Sequence, residues 1–311
     1  MIVIIACIAF SAFYIIFPTY CGSELFRKTF QNRTKVFDGF GGGVVVVDGN
    51  TKQFVTMVQK PMFILNAQGY IPMEDTIKRV WIDVGSHSDS FAGGDHIYSS
   101  VYWPHRTMKS LRDEFNESSD LMAIAIDPNA RFHESLSKIP RLIPIIAAIY
   151  TIEGTQLFYE YALDGCSSLL EPNAKLDPNY YVDNWQIGCH QVKRMTGVST
   201  IPLEKILSII HPRLDIQLLK IDAQGVDLDV VKSCGKQLQR VEKIIIEIQK
   251  VVANNKTNNL LYKNQITADE SVLWMKENGF FFNKQQASVN NKQLEEYNYV
   301  FDNGHFKRKK L

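Results

Sequence analysis

IQLLKIDAQG, running from Ile216 to Gly225, is the stretch on which the fold turns. Isoleucine and leucine dominate it, with only Gln217 and Lys220 among them, until it stops at Asp222, with Gly225 close behind. A strand buried on both faces reads this way, whereas a strand with one wet face alternates. The same pattern recurs in RVWIDVG from Arg79, MAIAIDPN from Met122, LIPIIAAIYT from Leu142 and KIIIEIQ from Lys243. Between such runs lie mixed segments, of which DLDVVKSCGKQLQRV (Asp227 to Val241) places apolar residues at helical spacing. Repeated strand–helix alternation predicts a doubly wound α/β domain built on a largely parallel sheet. Near the C-terminus, DESVLWMKENG predicts a helix stopped by Gly279, and FFFN and YNYVF predict two further strands.

Composition agrees with a globular chain. Of 311 residues, 45% are hydrophobic and 22% charged, which excludes a disordered or many-pass membrane protein. Lys plus Arg number 34 against 33 Asp plus Glu, so the basic footprint of a phosphate-backbone binder is missing and no nucleic-acid partner is expected. The five cysteines contain no Cys-x-x-Cys pair, which argues against a structural zinc site or a disulfide scaffold; Cys166 and Cys234 read as small buried apolar groups. No repeat or low-complexity linker divides the chain. The expected organisation is an N-terminal apolar segment (1–22), an extension (23–78) and one α/β domain (79–311).

The run Ile2 to Phe17 is apolar on every face. As a helix it would reach about 24 Å, close to the thickness of a bilayer core. It is read as a single-pass membrane anchor, with a cleaved secretory signal as the alternative. Arg27, Lys28, Arg33 and Lys35 follow it, and the positive-inside rule then favours a cytosolic body. Glycosylation tripeptides at Asn32, Asn116 and Asn255 point the other way. The tail Lys307 to Leu311 is a solvated basic end that fits a cytosolic retrieval signal in the endomembranes of a eukaryotic cell. In the extension, Val44 to Val47, an Asp48-Gly49 turn and Gln53 to Gln59 predict a β-hairpin. The Gly39 to Gly43 run lacks a following helix and a Gly-Lys-Ser/Thr, so it reads as hairpin backbone rather than a phosphate loop.

In an open parallel sheet, ligands bind beyond the carboxyl ends of the strands. Those ends carry Asp83-Val84-Gly85, Asp127-Pro128-Asn129 and Asp222-Ala223-Gln224-Gly225. Gly85 lets backbone approach a ligand closely, and an acid closing the second strand, Asp127, suits both hydroxyls of a ribose. A dinucleotide would require Gly-x-Gly-x-x-Gly; Gly85-Ser86-His87-Ser88-Asp89 offers one glycine and then an acid that repels a pyrophosphate. The loop therefore favours S-adenosylmethionine, a sulfonium without phosphates, over NAD.

The order WIDVGSHSDSF, AIAIDPN, IQLLKIDAQGVDLDVVKSC and IIIEIQ resembles the FkbM family of S-adenosylmethionine-dependent methyltransferases, KIDAQGVDLDVV being the most specific piece. The resemblance covers roughly Arg79 to Gln249. It implies a class I, Rossmann-like methyltransferase sheet whose last strand is antiparallel, and methyl transfer to a hydroxyl of a sugar, lipid or small metabolite. It further implies that Asp83, Gly85, Ser86 and Asp89 surround the methionine part, that Asp127, Pro128 and Asn129 hold the ribose end, and that Asp222 lies where cofactor and acceptor meet. Family members show a small residue and Asn at Ser86-His87, Gly at Asp89 and Glu at Asp227. His87, His190 and Asp222 are the candidate bases for an acceptor hydroxyl. Trp81, Trp185 and Trp274 read as core or wall residues, and Tyr102 to Arg106 as a lid or a packing segment. A relative that keeps the fold but serves only as a binding module is the alternative function, with an NAD-dependent oxidoreductase behind it.

Overall fold

The computed structural model describes residues 65–87, 111–174, 191–249, 260–287 and 296–307, with Phe63, Gly188, Cys189 and three short N-terminal strands. The proposed anchor, Ile2 to Phe17, lies outside the described residues, as do Trp185 and Tyr102 to Arg106. Among the described residues, no helix is long and apolar enough to cross a membrane.

The buried apolar runs become adjacent strands. β4 (Arg79–Val84) pairs in parallel with β5 (Leu121–Asp127), which pairs in parallel with β6 (Leu142–Ile146). On the other flank, β4 pairs in parallel with β10 (Asp215–Ile221), and β10 with β11 (Val241–Gln249). Two final strands, β12 (Phe280–Ala287) and β13 (Glu296–Asn303), complete the order β12-β13-β11-β10-β4-β5-β6. Strand β13 is antiparallel to both its neighbours. This is the expected class I arrangement with its antiparallel C-terminal strand.

Each central strand is buried on both faces because its alternate side chains enter different cores. Ile82, Val84, Leu219, Ile221 and Ile246 pack into one. Trp81, Ala123, Leu218, Ile245 and Val300 pack into the other. The Trp81 indole is fully buried and donates to Gln217 Oε1 at 3.0 Å. Five helices are described: α1 (Leu111–Glu117), α2 (His133–Ser137), α3 (Leu203–Ser208), α4 (Asp227–Lys232) and α5 (Ala268–Glu277). Helix α5 starts on a capping box of Thr267 and Glu270, and Gly279 follows it at φ 85, a left-handed exit that glycine makes without strain.

Two features differ from the sequence expectation. β2 (Gly43–Val47) pairs with β3 (Val58–Gln59), a shorter partner than the predicted hairpin arm, and also with β1 (Lys35–Asp38). The extension is thus a three-stranded sheet, and its Asp48-Gly49 segment lies outside the described residues. A third sheet, not foreseen, is inserted after β6: β7 (Ala148–Ile149), β8 (Gly154–Tyr161) and β9 (Val192–Ile201), in the order β7-β9-β8. Its β8–β9 pair is antiparallel.

Candidate active site

The order of the large sheet reverses between β4 and β10, and there the carboxyl ends of β4, β5 and β10 surround an open cleft of about 670 Å³. Gly85, His87, Asp127, Pro128, Asn129 and Asp222 all line it. Gly85 sits at φ 77, and a Cβ there would lie 1.8 Å from the Asp222 carbonyl oxygen. Only glycine fits, so the β4 and β10 ends meet backbone to backbone.

Asp127 organises the loops around it. One carboxylate oxygen accepts the backbone N–H of His87 at 3.0 Å, the other that of Asn129 at 2.7 Å. The bond from His87 helps hold that residue at φ 45, with its ring 4.2 Å from the Phe132 ring. Burial lifts the Asp127 carboxyl to about 6, against the pull of the two backbone N–H groups. Each oxygen retains a further lone pair, which is what a pair of ribose hydroxyls requires.

Asp222 is held on both sides. Gln224 Nε2 donates to its Oδ1 at 2.7 Å, and Lys220 Nζ lies 3.9 Å from its Oδ2. The same ammonium is 3.5 Å from Oδ1 of Asp83, its neighbour across the β4–β10 register. Asp83 and Lys220 form a buried ion pair beneath the cleft. The turn beyond Asp222 is tied by Asp227, whose carboxylate accepts from Ala223 N–H at 2.8 Å and Gly225 N–H at 2.9 Å. Complete burial pushes the Asp227 carboxyl up to about 7.

Asp83 and Ser86 are fully buried and do not line the cleft, so any influence of theirs reaches it through the residues in front. Asp89 and His190 lie outside the described residues. The inserted sheet and its loops supply the opposite wall, through Ala148, Ile149, Phe158, Asp164, Ser167 and Leu169. The aromatic and β-branched content of Gly154 to Tyr161 was the only signal for this wall, and a weak one. Cys166 is not a lone apolar group but is joined to Cys189 by a disulfide, their Cα atoms 5.3 Å apart because β8 and β9 pair antiparallel. Cys234 is free and buried. Among the described residues, no group of three or more His, Cys, Asp or Glu side chains is placed to hold a metal ion.

Strand order, the antiparallel β13 and a cleft at the reversal point define a class I methyltransferase domain. The family model for the methyltransferase FkbM domain matches residues 83–282, and the chain belongs to that family. It is a methyltransferase. No curated protein matches it significantly. Among solved structures, it is similar to a fibrillarin pre-rRNA processing protein of Methanococcus jannaschii (10% identity, 87% of this chain and 98% of that one, TM-score 0.34). It is also similar to a Burkholderia thailandensis 1,6-didemethyltoxoflavin-N1-methyltransferase bound to S-adenosylhomocysteine (11% identity, 73% and 72% covered, TM-score 0.30).

Proposed function

We propose that this chain transfers a methyl group from S-adenosylmethionine to a hydroxyl oxygen of a sugar, lipid or small metabolite. The observation that carries the reading is the convergence of Gly85, Asp127 and Asp222 on one cleft at the sheet's reversal point. The cleft suits the cofactor: Asp127 has acceptor capacity for the ribose, and Phe132, Ala147 and Ile149 offer apolar surface to an adenine. Bound there, S-adenosylmethionine supplies an electrophilic methyl carbon. The protein aligns the acceptor oxygen with that carbon, which is worth several kcal/mol of the barrier. Asp222 would take the acceptor's hydroxyl proton as that oxygen gains the methyl group, whose bond to sulfur breaks to leave neutral S-adenosylhomocysteine. The His87 ring, packed on Phe132, shapes the wall.

Titration of the full chain with S-adenosylhomocysteine and with NAD tests the cofactor. Methyl-group transfer from labelled S-adenosylmethionine to a panel of hydroxyl acceptors tests the reaction. Binding of NAD but not S-adenosylhomocysteine would sink the reading; cofactor binding without transfer to any acceptor would favour the silent binding module.

We also propose that Ile2 to Phe17 tethers the chain to a membrane. The Cys166–Cys189 disulfide supports a body on the oxidising side, against the orientation that the basic residues after the anchor suggest. A mass shift on peptide N-glycosidase treatment of the chain made in eukaryotic cells supports that side; full labelling of Cys166 and Cys189 by a thiol reagent in native extracts would reverse it.

A further inference from the structure

Gln224 occupies a strained place. It sits at φ 51, a left-handed conformation that a non-glycine residue holds only when its surroundings impose it. Those surroundings are explicit. Ser168 Oγ donates to its carbonyl at 2.6 Å, and its amide Nε2 donates to Asp222 Oδ1. Its amide oxygen accepts from the Tyr262 hydroxyl at 2.8 Å, a proton shared with the carbonyl of Cys166 at the same distance. Tyr262 cannot drift: it is 2% exposed, clusters with Tyr161, Cys166 and Cys189, and lies where a Cβ on Gly225 would be 2.8 Å from its Cδ2.

We infer that Tyr262 and Gln224 are positioning residues, a buried phenol–amide relay that fixes the Asp222 carboxylate toward the transferred methyl group. The inference rests on the cofactor reading above and deepens it. Without the relay, the Asp222 carboxylate keeps its charge and its place on β10 but loses the donor that sets its rotamer.

Sinefungin is the probe, because it carries an amine where the transferable methyl group would be. In the wild-type full chain, the amine pairs with Asp222 and sinefungin binds more tightly than S-adenosylhomocysteine. Asp222→Asn erases that preference. Tyr262→Phe and Gln224→Met each reduce it about fivefold or more while S-adenosylhomocysteine affinity stays within about twofold, one hydrogen bond having been lost. In Gln224→Glu, the paired acids hold Asp222 only while they share a proton, so the preference becomes pH-dependent, which a purely structural role would not produce. Near-UV circular dichroism establishes folding, and Tyr262→Phe alone decides if the Gln224 variants do not fold. An unchanged preference in folded Tyr262→Phe, with Asp222→Asn having lost it, overturns the relay and leaves the cofactor reading intact. Wild type binding both ligands equally also overturns it. Wild type binding neither removes the cofactor reading and the relay together.

Discussion

The two walls of the cleft are made by different means. The wall bearing Gly85 and Asp127 is the edge of a parallel sheet: β4 and β5 are buried almost throughout, and their ends stay where the sheet puts them. The facing wall hangs on β8 and β9, whose residues are largely half-buried or exposed over much of their length. It is secured by cross-links instead, namely the disulfide, the Ser168 bond to Gln224 and the Tyr262 bond to Cys166. A wall that is part of the core tolerates little change and keeps one ligand; a pinned wall can vary while the fold stands.

That contrast can be broken at Gly85. Gly85→Ala puts a methyl group into the Asp222 carbonyl at a positive φ, a clash the sheet cannot relax. A destabilisation on the order of 4 kcal/mol is expected, with S-adenosylhomocysteine binding lost. A melting temperature within a few degrees of wild type and intact binding would show that the two strand ends are not rigidly apposed.

Asp127→Ala comes next. Loss of two charge-assisted bonds to the ribose costs about 3 kcal/mol, roughly a hundredfold in S-adenosylhomocysteine affinity. The variant also melts lower, since the N–H groups of His87 and Asn129 lose their acceptor. The raised carboxyl fixes the pH dependence. Its folded value near 6 exceeds the unfolded one, so the ligand-free protein loses this contribution to stability as pH rises from about 4 through 6. Ligand affinity moves oppositely, strengthening as the carboxylate forms and weakening about tenfold per unit below 6. Calorimetry at several pH values on wild type and variant reads both trends; a flat affinity from pH 5 to 8 contradicts the ribose role.

Replacing both Cys166 and Cys189 with serine sharpens the picture of the other wall. Opening a loop with a sequence separation of 23 should cost about 3 kcal/mol in the melt. S-adenosylhomocysteine affinity should change less than in Asp127→Ala, because neither cysteine lines the cleft. A larger affinity loss here than there would show that the pinned wall, and not Asp127, dominates cofactor binding. The smallest effect belongs to the ion pair across the cleft, Arg131 to Asp164 at 2.7 Å, nearly half exposed on each side. Arg131→Ala should shift stability by no more than about 0.5 kcal/mol, and less in high salt. Denaturant titration at two ionic strengths checks it.

The large sheet was legible because burial on both faces leaves continuous apolar runs, and Asp127, Gly85 and Asp222 were legible because strand ends mark the ligand side of such sheets. The inserted sheet was not. GTQLFYEY and VKRMTGVSTI mix polar and apolar residues as surface strands do, and such runs are easily taken for loops. The disulfide escaped because its cysteines share no motif and meet only when β8 and β9 pair. The ion pair of Lys220 with Asp83 depends on register, which no run of residues states by itself. Tyr262 precedes helix α5 in a segment without pattern, and its link to Gln224 exists only in three dimensions.

The chain leaves the large sheet at Ile146 and re-enters it at Asp215. At the base of the inserted sheet Ile149 and Ile201 are register partners, with Tyr150 N–H donating to the Ile201 carbonyl at 3.1 Å. Its two ends are therefore clasped together at the rim of the cleft. An excursion closed in this way adds little loop entropy to the host fold, since that cost grows only with the logarithm of length. Loops beyond the clasp can be lengthened or shortened while Ile149 and Ile201 keep their places. A segment tied at its own base in this way behaves as a unit whose length can change at little cost to the sheet that carries it.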